Sequence, residues 1–287
     1  MAVDKRDLLR NLEGDYLLDY AHFTGAIRLY VTQSLEEHFV KDKNDLRRRM
    51  FLLAVFREEY SAYEDLGAML DALLTHRRDS QVPLLERLIS YGPGEVELSK
   101  VWKRFTITGS TELCDRLGLL DLVPADWKDE FPGLDLAKAL RTAADFFFEE
   151  CTRNQKKVGL SAFNKMKHGL LLVPRAKLYM VGQIDAPAAL FKTDDSRPEA
   201  AANPFSLYAV PMTDQHLEAR LRAIHFVQAN LRMIAALWVI GKHPTVVTRR
   251  GVKKPIDILR TPYLADVVRF IEQLSRLRAG IQASNAG

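Results

Sequence analysis

The sequence predicts a mainly α fold: a helical bundle carrying a small antiparallel β insertion. Three observations predict it. Apolar residues recur at three- and four-residue steps along most of the chain. Capping and stop residues stand at the ends of those periodic stretches. One segment, Leu170 to Pro211, instead carries short β-prone runs punctuated by Pro174, Pro187, Pro198, Pro204 and Pro211. No series of alternating strands and helices occurs, which excludes doubly wound and barrel folds. No repeat of about 20–50 residues occurs, which argues against a solenoid.

The elements follow in order. A first helix is expected from about Asp15 to Val40, with Leu18, Ala21, Ile27 and Val31 among its apolar positions. A stronger one runs from about Asn44 to Thr75. There Leu52, Phe56, Tyr60, Tyr63, Leu66, Leu70 and Leu74 mark one stripe, and Asn44 or Asp45 can cap the start. Pro83 to Tyr91 is a short helix ended by Gly92-Pro93-Gly94, and Ser110 to Leu117 is another closed by Gly118. Asp135 caps a helix with Leu136, Leu140, Ala143, Phe147 and Cys151 on its core face, and helix resumes from about Leu160 to His168, with Gly169 as its stop.

The insertion follows, with runs at Leu170–Val173, Lys177–Val181, Ala189–Lys192 and Leu207–Val210 around a polar loop, Thr193 to Asn203. Helix returns from Thr213 or Asp214 to about Ile240, ended by Gly241 and Pro244. Thr261-Pro262 starts a last helix that reaches about Ala279. The parts are thus residues 1–169, 170–211 and 212–287 of one compact domain.

The chain has 287 residues, 47% hydrophobic and 27% charged, an ordinary globular composition that excludes disordered and low-complexity classes. The formal charge is only +4, but its distribution is uneven. Arg141 to Lys177 holds eight cations against three acids, and Lys242 to Arg278 nine against three. The first 60 residues are near neutral, with ten cations and eleven acids. The basic second half is the part suited to phosphate. Cys114 and Cys151 are no disulfide framework. The start has no apolar run of signal-peptide length, and Met233 to Gly241 is shorter than the ~20 residues of a membrane helix. The expectation is a cytoplasmic protein with no membrane partner.

Several chemistries lack their signature. There is no GxGxxG, GxxxxGK[ST], CxxC or GxSxG. No histidine has Glu three residues before it, and only His22 has Asp there, so paired metal-ligating motifs are absent and no metal or cofactor is expected.

One motif stands out: Phe163-Asn164-Lys165-Met166-Lys167-His168-Gly169. Asn164 and His168 are four apart and share a helical face, which Lys165 can join. An imidazole beside an amide and ammonium groups suits phosphodiester chemistry: His168 would transfer a proton, Asn164 would orient an oxygen, and Lys165 and Lys167 would hold phosphate. Flanking cations favour a neutral imidazole. The same residues also suit a helix end, where cations oppose the macrodipole and glycine closes the last turn.

FNKMKHG after a long helix, in a helical chain, resembles the HEPN superfamily. Its ribonuclease members carry Arg, four to six residues, then His, often with Asn after the Arg. The resemblance implies metal-independent RNA cleavage in the groove of a symmetric homodimer. Asn164 and His168 match the Asn-x-x-x-His part, whereas Phe163 stands at the arginine position. Lys165 or Lys167 would replace the guanidinium only as point charges.

A second pair, Arg220 and His225, has the literal Arg-x4-His spacing, but five residues place them about 140° apart on a helix. It is the back-up site. The acidic run Glu58 to Asp65 reads as an orienting acid, a metal-ligand pair or a solvated face. The stretch Arg249-Arg250-Gly251-Val252-Lys253-Lys254 reads as a basic loop between helices, able to grip a phosphate backbone. Two functions are expected from these residues. One is a HEPN-like RNA-binding protein, acting as a metal-independent endoribonuclease through His168. The alternative is a non-catalytic helical module that dimerises or binds a protein.

Overall fold

The computed structural model describes residues 5–20, 25–90, 98–122, 138, 140–142, 144–145, 172–173, 188–192, 205–209, 214–243, 245–247 and 253–255. The helices are α1 (Lys5–Asp19), α2 (Gly25–Lys41), α3 (Asp45–Arg78), α4 (Leu84–Ile89), α5 (Leu98–Phe105), α6 (Ser110–Leu117) and α7 (Asp214–Lys242). A 3₁₀ turn, Leu119–Leu122, follows α6, and the described residues between 138 and 145 are helical. The strands are β1 (Leu172–Val173), β2 (Ala188–Lys192), β3 (Phe205–Ala209), β4 (Thr245–Val247) and β5 (Lys253–Pro255).

The contacts divide the chain into two compact units. One holds Met1–Ile27, Glu64–Cys151 and Phe226–Gly287; the other holds Arg28–Tyr63 and Thr152–His225. The boundaries pass through α2, α3 and α7.

In the first unit, the stripe predicted on α3 supplies buried Leu66, Leu70 and Leu74. Leu113 and Leu117 of α6 and Phe105 of α5 are buried as well, each such side chain contributing roughly 1.5–3 kcal/mol. Ion pairs tie these helices together at their rims: Arg104 Nη1 lies 2.8 Å from Asp71 Oδ1, and Arg77 Nη2 2.8 Å from Asp121 Oδ2. Gly118 closes α6 at φ 62°, a left-handed conformation that costs a residue with a Cβ.

In the second unit, Phe39 of α2, Leu52 and Val55 of α3, and Leu217, Leu221 and Ile224 of α7 form one apolar cluster. Asn44 caps α3, its Oδ1 accepting from the Arg47 N–H at 3.0 Å.

Four expectations are corrected. The single helix from Asp15 to Val40 is two, α1 and α2, and the predicted core positions Ile27 and Val31 are 61% and 42% exposed. The inward positions of α2 are Leu29, Thr32, Leu35 and Phe39. Thr32 enters the core because its hydroxyl donates to the carbonyls of Arg28 and Leu29, each at 2.9 Å. A count of apolar residues alone therefore picks the wrong face.

The fold class is corrected next. It is mainly α, and every described core side chain lies on a helix, the 3₁₀ turn or the α5–α6 connection. A bundle with one β insertion over 170–211 is not what the described residues make. Among the described residues of that stretch, extended backbone comprises three short antiparallel strands in the order β1-β2-β3. The run at 177–181 lies outside the described residues. The reason is that short apolar, Pro-punctuated runs signal local extension and do not by themselves define a packed layer.

The basic loop expected between helices is corrected as well, because β4 and β5 pair antiparallel, Val246 opposite Lys254 and Val247 opposite Lys253. Finally, α7 continues through Gly241 to Lys242. Its portion Leu217–Lys242 is the one helix among the described residues long and apolar enough to cross a membrane, and 78% of its apolar window is buried inside the protein. The short run Met233 to Gly241 understated that length.

Candidate functional site

Asn164, Lys165, Lys167 and His168 lie outside the described residues, as do Arg249 and Arg250. Of the expected phosphate-binding cations, Lys253 and Lys254 are placed, both on β5. Strands β4 and β5 pair antiparallel as a two-stranded ribbon, and Arg249 and Arg250 fall between them in sequence. Thr245 to Pro255 contains Arg249, Arg250, Lys253 and Lys254 and no acid. Of that basic run, the described part is Lys253 and Lys254, paired across from Val247 and Val246.

The back-up pair is not brought together. Arg220 turns into the second unit, where its Nη1 pairs with Glu59 Oε2 and its guanidinium stacks 4.7 Å from the Phe56 ring centroid. The side chains of Arg220 and Glu59 are only 12% and 9% exposed. His225, one residue beyond the buried Ile224, is partly exposed. Partial burial lowers the His225 pKa below its ordinary value, and the Glu36 carboxylate opposes that shift. The guanidinium needed beside the imidazole is already engaged with Glu59.

The acidic run is resolved by the same geometry. Glu59 is buried against Arg220, and Glu58 Oε2 accepts from Arg28 Nη1 at 2.6 Å. Tyr63 is buried and Tyr60 stacks on Phe56 with centroids 4.8 Å apart. Glu58 and Glu59 therefore hold α2 and α7 to α3 and do not form a solvated face. Among the described residues, no group of three or more metal-ligating side chains comes together.

The most elaborate polar cluster lies in the first unit and was missed from the sequence. Glu13 of α1 is 5% exposed. Its Oε1 accepts from Trp238 Nε1 at 2.8 Å and lies 3.3 Å from His243 Nε2. Its Oε2 accepts from the Leu85 backbone N–H at 2.8 Å. His76 meets the Trp238 ring edge-on with centroids 4.9 Å apart, and its Nδ1 lies 2.8 Å from the Val82 carbonyl oxygen. Burial pushes the Glu13 carboxyl upward, but hydrogen bonds from His243, Leu85 and Trp238 outweigh it and hold its pKa below the ordinary value. The result is a buried, ionised carboxylate whose partners Leu85, Trp238 and His243 all lie outside α1. A signal was present: Glu13 shares a helical face with Leu9 and Leu17, so a carboxylate sits on the inward stripe of α1.

Chemically, two arrangements are available: an acid-free basic ribbon on β4–β5, and a carboxylate node beside its root at His243. No protein-family model, curated protein or solved structure matches the chain.

Proposed function

We propose that this chain is a HEPN-like RNA-binding protein that grips phosphate with the β4–β5 ribbon. One observation carries the proposal: the pairing of Thr245–Val247 with Lys253–Pro255 folds a stretch with four cations and no acid back on itself. Cations concentrated on a narrow hairpin neutralise neighbouring phosphates and release their counterions, which drives sequence-independent binding. The Asn-x-x-x-His motif and the eight cations from Arg141 to Lys177 favour RNA as the partner.

Anisotropy of a labelled single-stranded RNA tests the binding. Replacing Arg249, Arg250, Lys253 and Lys254 by alanine should weaken binding about tenfold or more and flatten its salt dependence. Equal affinity and equal salt dependence would remove the ribbon as the phosphate contact. Catalysis is proposed at His168, with Asn164 and Lys165 beside it, as metal-independent cleavage by a homodimer. His168→Ala should abolish cleavage measured in the presence of a chelator. If wild type and variant cut equally, or neither cuts, the protein is a binder and not a nuclease.

A second reading, a helical dimerisation or protein-interaction module, is favoured by α1. Leu8, Leu12 and Tyr16 recur every four residues and are 50%, 47% and 47% exposed. That is an apolar stripe with no described cover. Sedimentation of wild type against Leu12→Glu, read beside the RNA assay, decides it: a dimer that falls to monomer in a protein without RNA affinity supports this reading, and one unchanged mass for both removes it.

A further inference from the structure

The root of the ribbon is pinned on two sides. His243 follows α7 directly and precedes β4 by two residues. Its N–H donates to the Val239 carbonyl at 3.0 Å, completing the last turn. Its ring lies against α1 so closely that a Cβ on Gly14 would come within 2.9 Å of Cγ. Its Nε2 faces Glu13, which also takes the indole N–H of Trp238 and the N–H of Leu85 at the start of α4. Gly241, two residues earlier, meets the 3₁₀ turn: a Cβ there would lie 3.0 Å from Leu122 Cα and from its carbonyl oxygen. Helix α1 also runs alongside β4.

We propose that Glu13 is a positioning residue for RNA binding: through His243 and Trp238 it fixes where the β4–β5 ribbon leaves the helical unit. The inference rests on the ribbon being the RNA contact. Glu13 touches no RNA in this scheme. Its carboxylate holds Trp238 of α7 and His243 just beyond it, so β4 leaves the helical unit from a fixed root and less freedom is lost on binding. The node suits this role because its three donors come from two elements other than α1, and because Gly14 lets the imidazole approach without a side chain between.

The test compares four proteins for binding of a labelled oligouridylate by anisotropy: wild type, Glu13→Gln, the four-alanine ribbon variant, and the two combined. An amide cannot accept at both of its terminal atoms, so one donor of the node is left facing an NH₂ group. Glu13→Gln should weaken binding about threefold to tenfold, the scale of re-ordering one or two side chains at an interface. The same substitution should have no further effect in the ribbon variant, because a positioning residue acts only through the group it positions. Amide exchange should quicken at Thr245–Val247 in Glu13→Gln while α3 keeps its protection.

Wild-type affinity in Glu13→Gln, or an equal further loss in the combined protein, overturns the positioning role while leaving the ribbon reading intact. Wild-type affinity in the ribbon variant overturns both. If Glu13→Gln does not fold, Trp238→Phe keeps an aromatic ring at that position, removes one donor and should move affinity and exchange in the same direction; no movement there overturns the inference.

Discussion

At the scale of single residues, the decisive groups are buried charges whose partners lie far away in the chain. Glu13 is the sharpest case. Its folded-state pKa lies below its ordinary value, so its ionised form stabilises the fold. That contribution is present above the unfolded glutamate range and is lost as pH falls through the lower folded value. Urea unfolding followed from neutral to acidic pH should therefore show stability falling on acidification, and Glu13→Gln should show a smaller fall over the same interval. A titration of identical shape in both would mean that the node is not coupled to folding. Gly118 is a second residue-scale case, because its φ of 62° is left-handed. Gly118→Ala should cost about 1–2 kcal/mol, checked by thermal melting. The Arg77 guanidinium that a Cβ would meet belongs to a flexible, half-exposed side chain, so backbone strain is the larger part of that cost.

At the scale of elements, the helices are held by a mixture of apolar stripes and charge clamps, and the clamps distinguish this molecule from a plain bundle. The pair Arg220–Glu59 is the clearest. With both side chains nearly buried and Phe56 stacked on the guanidinium, removal of one partner strands the other in the second unit's interior. Glu59→Ala should destabilise by about 3–5 kcal/mol, whereas a joint replacement by Glu59→Leu and Arg220→Met should cost much less, since the desolvation penalty vanishes with both charges. Chemical denaturation of the single and double variants measures the difference; equal losses would show that the pair is solvated in practice. The exposed pair Arg47–Asp42, also bonded through Arg47 Nε at 2.6 Å, is a contrast. Its side chains reach 64% and 16% exposure, so solvent screens it and its removal should cost far less than breaking Arg220–Glu59.

At the scale of the whole molecule, the proposed function divides charge between two uses. In the first 60 residues, near-equal cations and acids serve ion pairs such as Arg28–Glu58. In the ribbon, cations stand with no acid in the same eleven-residue stretch. Surplus charge of this kind contributes little to folding and much to binding phosphate. Binding of single-stranded RNA should therefore follow salt steeply, and the four-alanine ribbon variant should lose about 3 units of the log–log slope, roughly 0.7 for each phosphate released. An unchanged slope would place the phosphate contacts elsewhere on the molecule.

The sequence by itself determined the mainly helical class, the stripe along α3, the Asn44 cap and the Gly118 stop, because periodicity and capping are local properties written within a turn or two of chain. Tertiary structure decided what local pattern cannot carry. It split the first expected helix and turned Thr32 inward, its hydroxyl satisfied by backbone. It withdrew Arg220 from His225 by burying it against Glu59, and it converted a basic loop into a paired ribbon. It gathered Glu13, Leu85, Trp238 and His243 from three distant parts of the chain around one carboxylate. Such a node is invisible to spacing rules, since a buried charge is tolerated only where the fold delivers donors to it, and those donors have no fixed distance from it along the sequence.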